Sequence, residues 1–196
     1  MEIIIHRVNS LNKLKKIPKK YGVEIDVRSF GSKLILNHEP KTKGQLLKDY
    51  LDNYKHGTII FNIKEAGIEK EIISLAKNNE IKNFFLLDVE HPFIITSKKK
   101  YKKYLSVRFS EFEPIQLANK FKKFTSWIWI DTVNKLPISL NDIKIVKNFK
   151  SCLVSPERWN RKKDIKKYIK FFKKNKFTPN AVMTELNCSK IWEKFL

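Results

Sequence analysis

Glycine is scarce in this chain, five residues among 196, and no glycine-rich phosphate loop follows any strand-like run. That argues against a dinucleotide-binding, doubly wound sheet. The two cysteines, Cys152 and Cys188, stand far apart and match no metal-ligand spacing. They do not suggest a disulfide framework, so a reducing compartment is expected. No apolar run approaches membrane-spanning length, and the first one, Glu2 to Ile5, is too short for a signal-peptide core. The expectation is a soluble, cytoplasmic protein with no membrane span. Acidic residues are also in short supply, 20 against 41 lysines and arginines, for a formal net charge of +21.

What is present is enough apolar material to fold. Hydrophobic residues make up 42% of the chain and aromatics 12%, which excludes global disorder. The length suits one domain, residues 1–196, with a sizeable core. The charge makes an anionic partner plausible: nucleic acid, an acidic membrane surface or a phosphorylated substrate. Lysine, isoleucine and asparagine are abundant throughout, however, as compositional drift produces, and lysines spread over helix faces read as solvated surface. The stretch KKYIKFFKKNKF mixes basic and aromatic residues as a nucleic-acid face does. Its helical period fits an outer helix equally well, so nucleic acid is the less favoured partner.

The chemistry concentrates between Tyr21 and His38. Glu24 and Asp26 alternate with Val23, Ile25 and Val27, so on a strand both carboxylates project to one side and the apolar residues to the other. Like charges so placed resist burial unless a cation sits between them, and their hard oxygens suit Mg²⁺ or Ca²⁺. An ion pair with Arg7 or Arg108 is the alternative partner. A second apolar run, Leu34 to Leu36, ends in His38, and the first strand ends in His6-Arg7.

Eight strand-like runs begin near residues 3, 23, 58, 83, 104, 126, 151 and 181, and each is followed by a helix or a segment able to form one. Strict alternation implies a parallel sheet with helices outside, and eight such units predict a compact (β/α)₈ barrel. Active sites of that fold lie at the C-terminal strand ends. Those ends carry His6-Arg7, Glu24/Asp26, Asn62/Lys64, Asp88, Arg108 with Glu111, Asp131, Glu157-Arg158 and Glu185.

His6-Arg7, Glu24-Ile25-Asp26, His38 and Asn62-Ile63-Lys64 together resemble the glycerophosphodiester phosphodiesterase family, whose pattern reads His-Arg-Gly, Glu-x-Asp, His-Asp and Glu-x-Lys. The match covers residues 3–64. The stretches SVRFSEFE, WIWIDT and VSPERWNR are similar to those of a short subgroup sometimes associated with surface-polysaccharide synthesis. Val8 stands where the family has glycine, Glu39 where it has aspartate, and Asn62 where it has a metal-binding glutamate. The family's insertion domain has no room here.

The resemblance implies a (β/α)₈ phosphodiesterase with lipid-metabolic relatives that uses one divalent cation, Mg²⁺ or Ca²⁺, held by Glu24, Asp26 and Asn62. It assigns acid and base catalysis to His6 and His38, and phosphoryl binding to Arg7 and Lys64. The substrate is expected to be a glycerophosphodiester or a related glycerol- or sugar-phosphate diester. Arg108, Trp129, Asp131 and Glu157 are further candidates for substrate binding. The competing expectation is a catalytically inactive barrel that binds an anionic polymer through its lysines.

Overall fold

The computed structural model describes residues 1–97 and 99–195. Lys98, inside the basic segment expected as helix or loop, and Leu196, the end of the closing segment, lie outside the described residues. Ten strands form: β1 (Glu2–Ile5), β2 (Gly22–Phe30), β3 (Lys33–Leu36), β4 (Gln45–Leu46), β5 (Ile59–Ile63), β6 (Phe84–Leu87), β7 (Ser106–Phe109), β8 (Trp127–Ile130), β9 (Lys150–Val154) and β10 (Ala181–Thr184). The α-helices are α1 (Leu11–Leu14), α2 (Leu47–Asp52), α3 (Glu69–Asn78), α4 (His91–Thr96), α5 (Ile115–Phe121), α6 (Leu140–Val146), α7 (Asp164–Lys174) and α8 (Ser189–Glu193).

Eight strands run parallel in the cyclic order β1–β2–β5–β6–β7–β8–β9–β10, and β10 returns to β1. The β6–β7 seam is the thinnest, a single parallel bridge between Leu86 and Leu105. The Ser106 hydroxyl supports it by donating to the Leu86 carbonyl at 2.8 Å. The result is the expected (β/α)₈ barrel. β3 and β4 lie outside the ring as an antiparallel extension of β2. β2 is long enough for both jobs: Val23 to Val27 pair with β5, while Val27 to Phe30 pair with β3 through a turn in which Gly31 has φ +61°. The longest βα connection, residues 31–58, holds only that hairpin and the short α2.

Two-residue alternation sorts the strand side chains into two layers. Ile3, Ile5, Val23, Ile25, Ile59 and Phe61 face the helices. Ile4, Ile60, Phe85, Trp129, Cys152 and Met183 belong to a separate buried cluster, set by their parity inside the barrel. Its N-terminal end is closed by Glu2, whose carboxylate accepts from the Thr58 amide at 2.5 Å and the Thr58 hydroxyl at 2.6 Å. Gly22 permits this closure, because a Cβ there would collide with the Thr58 carbonyl.

Helix boundaries follow local chemistry. Ser139 caps α6 in a reciprocal box with Asp142. α2 begins only at Leu47, because Gln45 and Leu46 pair with β3. α1 is a single turn, Leu11–Leu14, ending ahead of Pro18.

Candidate active site

Glu24 and Asp26 point into the barrel from β2, and each is 1% exposed. The register sets Asp26 beside Asn62. Glu24 accepts hydrogen bonds from the Arg7 amide at 2.8 Å and the Asn62 side-chain amide at 2.9 Å. Asp26 accepts from the Asn9 side-chain amide at 2.8 Å and forms ion pairs with Lys64 at 3.1 Å and Arg7 at 3.3 Å. These partners drive the two carboxylates apart. Burial, then repulsion from Asp26, holds the Glu24 carboxyl above the usual range. Burial also pushes Asp26 up, but the Asn9 hydrogen bond and the Lys64 and Arg7 cations outweigh it and hold its carboxyl low.

His6 follows β1 and Glu185 follows β10, and these strands are neighbours. The imidazole Nδ1 lies 3.2 Å from a Glu185 oxygen, while Nε2 faces Glu24 at 3.9 Å. Arg158 approaches the same Glu185 oxygen at 3.4 Å. The His6 hydrogen bond, helped by Arg158, holds the Glu185 carboxyl below its ordinary range. Arg7 has φ +51° and Asp88 φ +59°, left-handed conformations that cost a non-glycine residue energy. At Arg7 that geometry aims the amide at Glu24.

A second charge cluster completes the mouth. Arg108 on β7 pairs with Asp88 and Asp131 and approaches Glu113 at 3.7 Å. Burial opposes its charge, but these carboxylates hold the guanidinium ionised. The Trp159 indole donates to Asp131 at 3.1 Å. Trp129, on β8, is 3% exposed and its indole N–H has no partner.

His6, Arg7, Glu24, Asn62, Lys64, Arg108, Trp129 and Asp131 line one cavity of about 190 Å³, together with Asp88, Arg158 and Trp159. Larger surface hollows lie elsewhere among the described residues, one of them beside Asp88, His91, Arg108 and Glu113. Two expected residues stand apart. His38 is 41% exposed on the loop after β3, with Nδ1 2.6 Å from Glu39. Glu157 turns toward Ser155, Thr184 and the Glu185 amide, bracing the segment that carries Glu185. Arg108 does not neutralise the Glu24/Asp26 pair; Arg7 does so in part. Asn9, Trp159 and the His6–Glu185 pairing were absent from the sequence reading. Asn9 and Asp26 satisfy each other twice, since the Asp26 amide also donates to Asn9 at 2.9 Å.

A hard cation would meet a sparse set of donors here. Among the described residues, no three histidines, cysteines or carboxylates converge as metal ligands, so a site here depends on Asn62. Asn62 Oδ1 is a buried acceptor without a hydrogen-bond partner, Asp26 Oδ1 meets the Lys64 ammonium at 3.1 Å, and Glu24 adds carboxylate oxygens. These oxygens fit Mg²⁺ or Ca²⁺ chemistry. Lys64 and Arg7 already face Asp26, so a cation would share that carboxylate with them.

The mouth of the parallel barrel thus gathers buried carboxylates, a histidine and four cationic side chains. Among solved structures, the fold matches glycerophosphoryl diester phosphodiesterases. One from Parabacteroides distasonis aligns over 93% of this chain and 81% of its own, with a TM-score of 0.60 and 10% identity. A glycerophosphodiester phosphodiesterase from Agrobacterium tumefaciens aligns over 94% and 97%, with a TM-score of 0.63 and 10% identity. A phosphoribosylanthranilate isomerase from Thermotoga maritima also aligns, over 94% and 86%, with a TM-score of 0.54 and 15% identity. No family model and no curated protein matches the sequence.

Proposed function

We propose that this chain, as one (β/α)₈ unit without an insertion domain, hydrolyses a small glycerol- or sugar-phosphate diester. The observation that carries the reading is the convergence of His6, Arg7, Glu24, Asn62 and Lys64 on one cavity at the barrel mouth, in a fold shared with glycerophosphodiester phosphodiesterases.

In this reading Arg7 and Lys64 bind the phosphoryl oxygens, Arg7 through its planar guanidinium and Lys64 as a point charge. Both already carry countercharge from Asp26, which fixes their positions before substrate arrives. Glu185 accepts from His6 Nδ1–H, leaving Nε2 as the proton acceptor. His6 then takes the proton of the attacking hydroxyl, from water or from the neighbouring hydroxyl of the substrate alcohol. A P–O bond forms, the opposite P–O bond breaks, and the departing alkoxide takes a proton. Attack by the neighbouring hydroxyl gives a cyclic phosphate that water opens in a second, equivalent step.

His38 is the partner acid or base in this proposal, supplied from the rim by the loop after β3. Glu24, Asp26 and Asn62 would hold the divalent cation. When bound, it polarises the phosphate and lowers the pKa of a coordinated hydroxyl. Arg108, Trp129 and Asp131 then contact the alcohol portion, while Glu157 acts on the site through Glu185.

The test is hydrolysis of bis-p-nitrophenyl phosphate and of glycerophosphodiesters, with Mg²⁺, with Ca²⁺ and with EDTA. Turnover that disappears in His6→Ala is the expected result. A folded protein inert toward all of these diesters in every buffer would reject the reading in favour of a binding-only barrel.

A further inference from the structure

The positive charge of this protein is not spread over its surface. In a parallel barrel every helix-to-strand connection lies at the N-terminal end, opposite the mouth. The connections there, with the last helical turns feeding them, are residues 13–20, 52–58, 77–83, 99–105, 120–126, 144–150, 173–180 and 190–195. They hold twenty-three lysines against three acids, Asp52, Glu80 and Glu193. That balance of +20 is nearly the whole net charge of +21. The strand-to-helix connections at the mouth nearly cancel by comparison.

Two ordinary explanations fall short. Cations in the last turn of a helix are favoured by its dipole, which accounts for Lys13, Lys77, Lys120, Lys144, Lys173, Lys174 and Lys190. It leaves sixteen others in the connections themselves. Compositional drift toward lysine has no reason to choose one end of a barrel. Nor is the charge neutralised in place: among the described residues only Lys20 of this set meets a carboxylate, Glu193. Such a density of like charge repels itself and destabilises the compact state unless an external anion answers it.

The face also says what kind of anion. It contains no arginine, since all five, Arg7, Arg28, Arg108, Arg158 and Arg161, lie on the mouth side or within the barrel strands. Among the described residues the exposed large apolar side chains are Phe30 at the end of β2, Ile95 in the last turn of α4, and Phe112, Leu140, Trp159 and Leu186 after strand ends, so only Ile95 approaches this face. The rings on this face, Tyr101, Phe124 and Phe195, are half-buried rather than open for bases to stack on, and Ile95 alone is a small anchor for lipid chains. The lysines are carried by the connections into β2, β7, β8, β9 and β10, around an arc of the barrel end rather than along a stripe.

We propose that the N-terminal face docks on an anionic bilayer, touching only the headgroup layer and leaving the catalytic mouth turned toward solution. Flexible ammonium groups on a broad end suit a plane of mobile phosphates, each lysine adding to the attraction within a Debye length.

The test is co-sedimentation of the whole protein with phosphatidylcholine vesicles, with and without phosphatidylglycerol, and with duplex DNA in the same buffer. Binding is expected only to the phosphatidylglycerol vesicles, with release at high salt. Changing Lys99, Lys100, Lys122 and Lys123 together to Glu should cut vesicle binding by at least about tenfold. Changing Lys41, Lys43, Lys162 and Lys163 to Glu on the mouth side alters net charge equally and should leave binding nearly intact. All eight side chains are exposed, and a thermal melt of each variant confirms folding. No binding, equal losses in the two variants, or tighter binding to DNA than to vesicles would each overturn the proposal. None of these readouts depends on diesterase activity.

Discussion

Nδ1 of His6 lies 3.2 Å from a carboxylate oxygen of Glu185, joining two residues 179 positions apart across the β1–β10 seam. This contact selects the tautomer and aims Nε2 toward Glu24. In the proposed reaction His6→Ala lowers turnover by about 10²–10⁴-fold with the fold intact, the usual scale for acid–base catalysis. His38→Ala is expected to cost a similar factor, although His38 starts from the rim. Steady-state rates on an active diester check both, and a His38→Ala enzyme at wild-type speed removes it from the mechanism.

Glu185 is held below its ordinary pKa by His6 and Arg158. A carboxylate so depressed contributes stability above its unfolded pKa, and that contribution is lost as pH falls through the folded value. Glu185→Gln should therefore lower the melting temperature at neutral pH, with the gap to wild type closing below about pH 4.5. Because the side chain is 40% exposed, the shift should be small. A gap that widens in acid contradicts the assignment. In the proposed reaction, the same variant should lower kcat with KM nearly unchanged, which loss of a purely structural contact would not do.

Much of this was legible before the structure. Period-two alternation placed Glu24 and Asp26 on one strand face, and the barrel followed from eight strand–helix repeats. The closure of the seam could not be read, because it rests on one bridge at Leu86 and Leu105. Asn9 was invisible for a different reason. It sits in a loop with no pattern, and its partner Asp26 is 17 residues away. The position of His38 depends on the β2–β3 hairpin turning it outward, which a short apolar run does not encode. The lysine face was present in the sequence as lysines trailing helices, but only the barrel topology shows that those trailing segments gather at one end.

Trp129 offers a buried N–H donor with no protein partner, on the wall of the mouth cavity. An unmet donor of that kind carries a desolvation cost that a bound oxygen relieves. Trp129→Phe keeps the ring and removes the donor, and should weaken glycerol 3-phosphate binding by about ten- to a hundredfold, the range for a hydrogen bond to a charged group. Four tryptophans give four indole signals in a ¹⁵N spectrum, and the one lost in the variant should move downfield as ligand is added. If ligand binds while that signal stays fixed, the indole does not touch it.

In the proposed metal site, Asn62 would set how strongly a divalent cation is held. Its amide nitrogen donates to Glu24 at 2.9 Å, while its oxygen is buried without a partner. Glu24 and Asp26 alone would bring two negative charges to a cation, and Lys64 and Arg7 already draw on Asp26. Weak binding of Mg²⁺ or Ca²⁺ is expected. Asn62→Glu replaces a hydrogen-bond donor with a third carboxylate beside Glu24, whose carboxyl burial and repulsion already hold high. Without divalent ions this variant should melt below wild type, because the added charge is buried against a like one. With Mg²⁺ or Ca²⁺ it should recover, and calorimetry should show tighter binding. Glu24→Gln should do the reverse, tolerating the absence of cations and binding them more weakly. If Asn62→Glu leaves metal affinity unchanged while Glu24→Gln abolishes it, Asn62 is not a ligand, and the third carboxylate position must be sought on another strand.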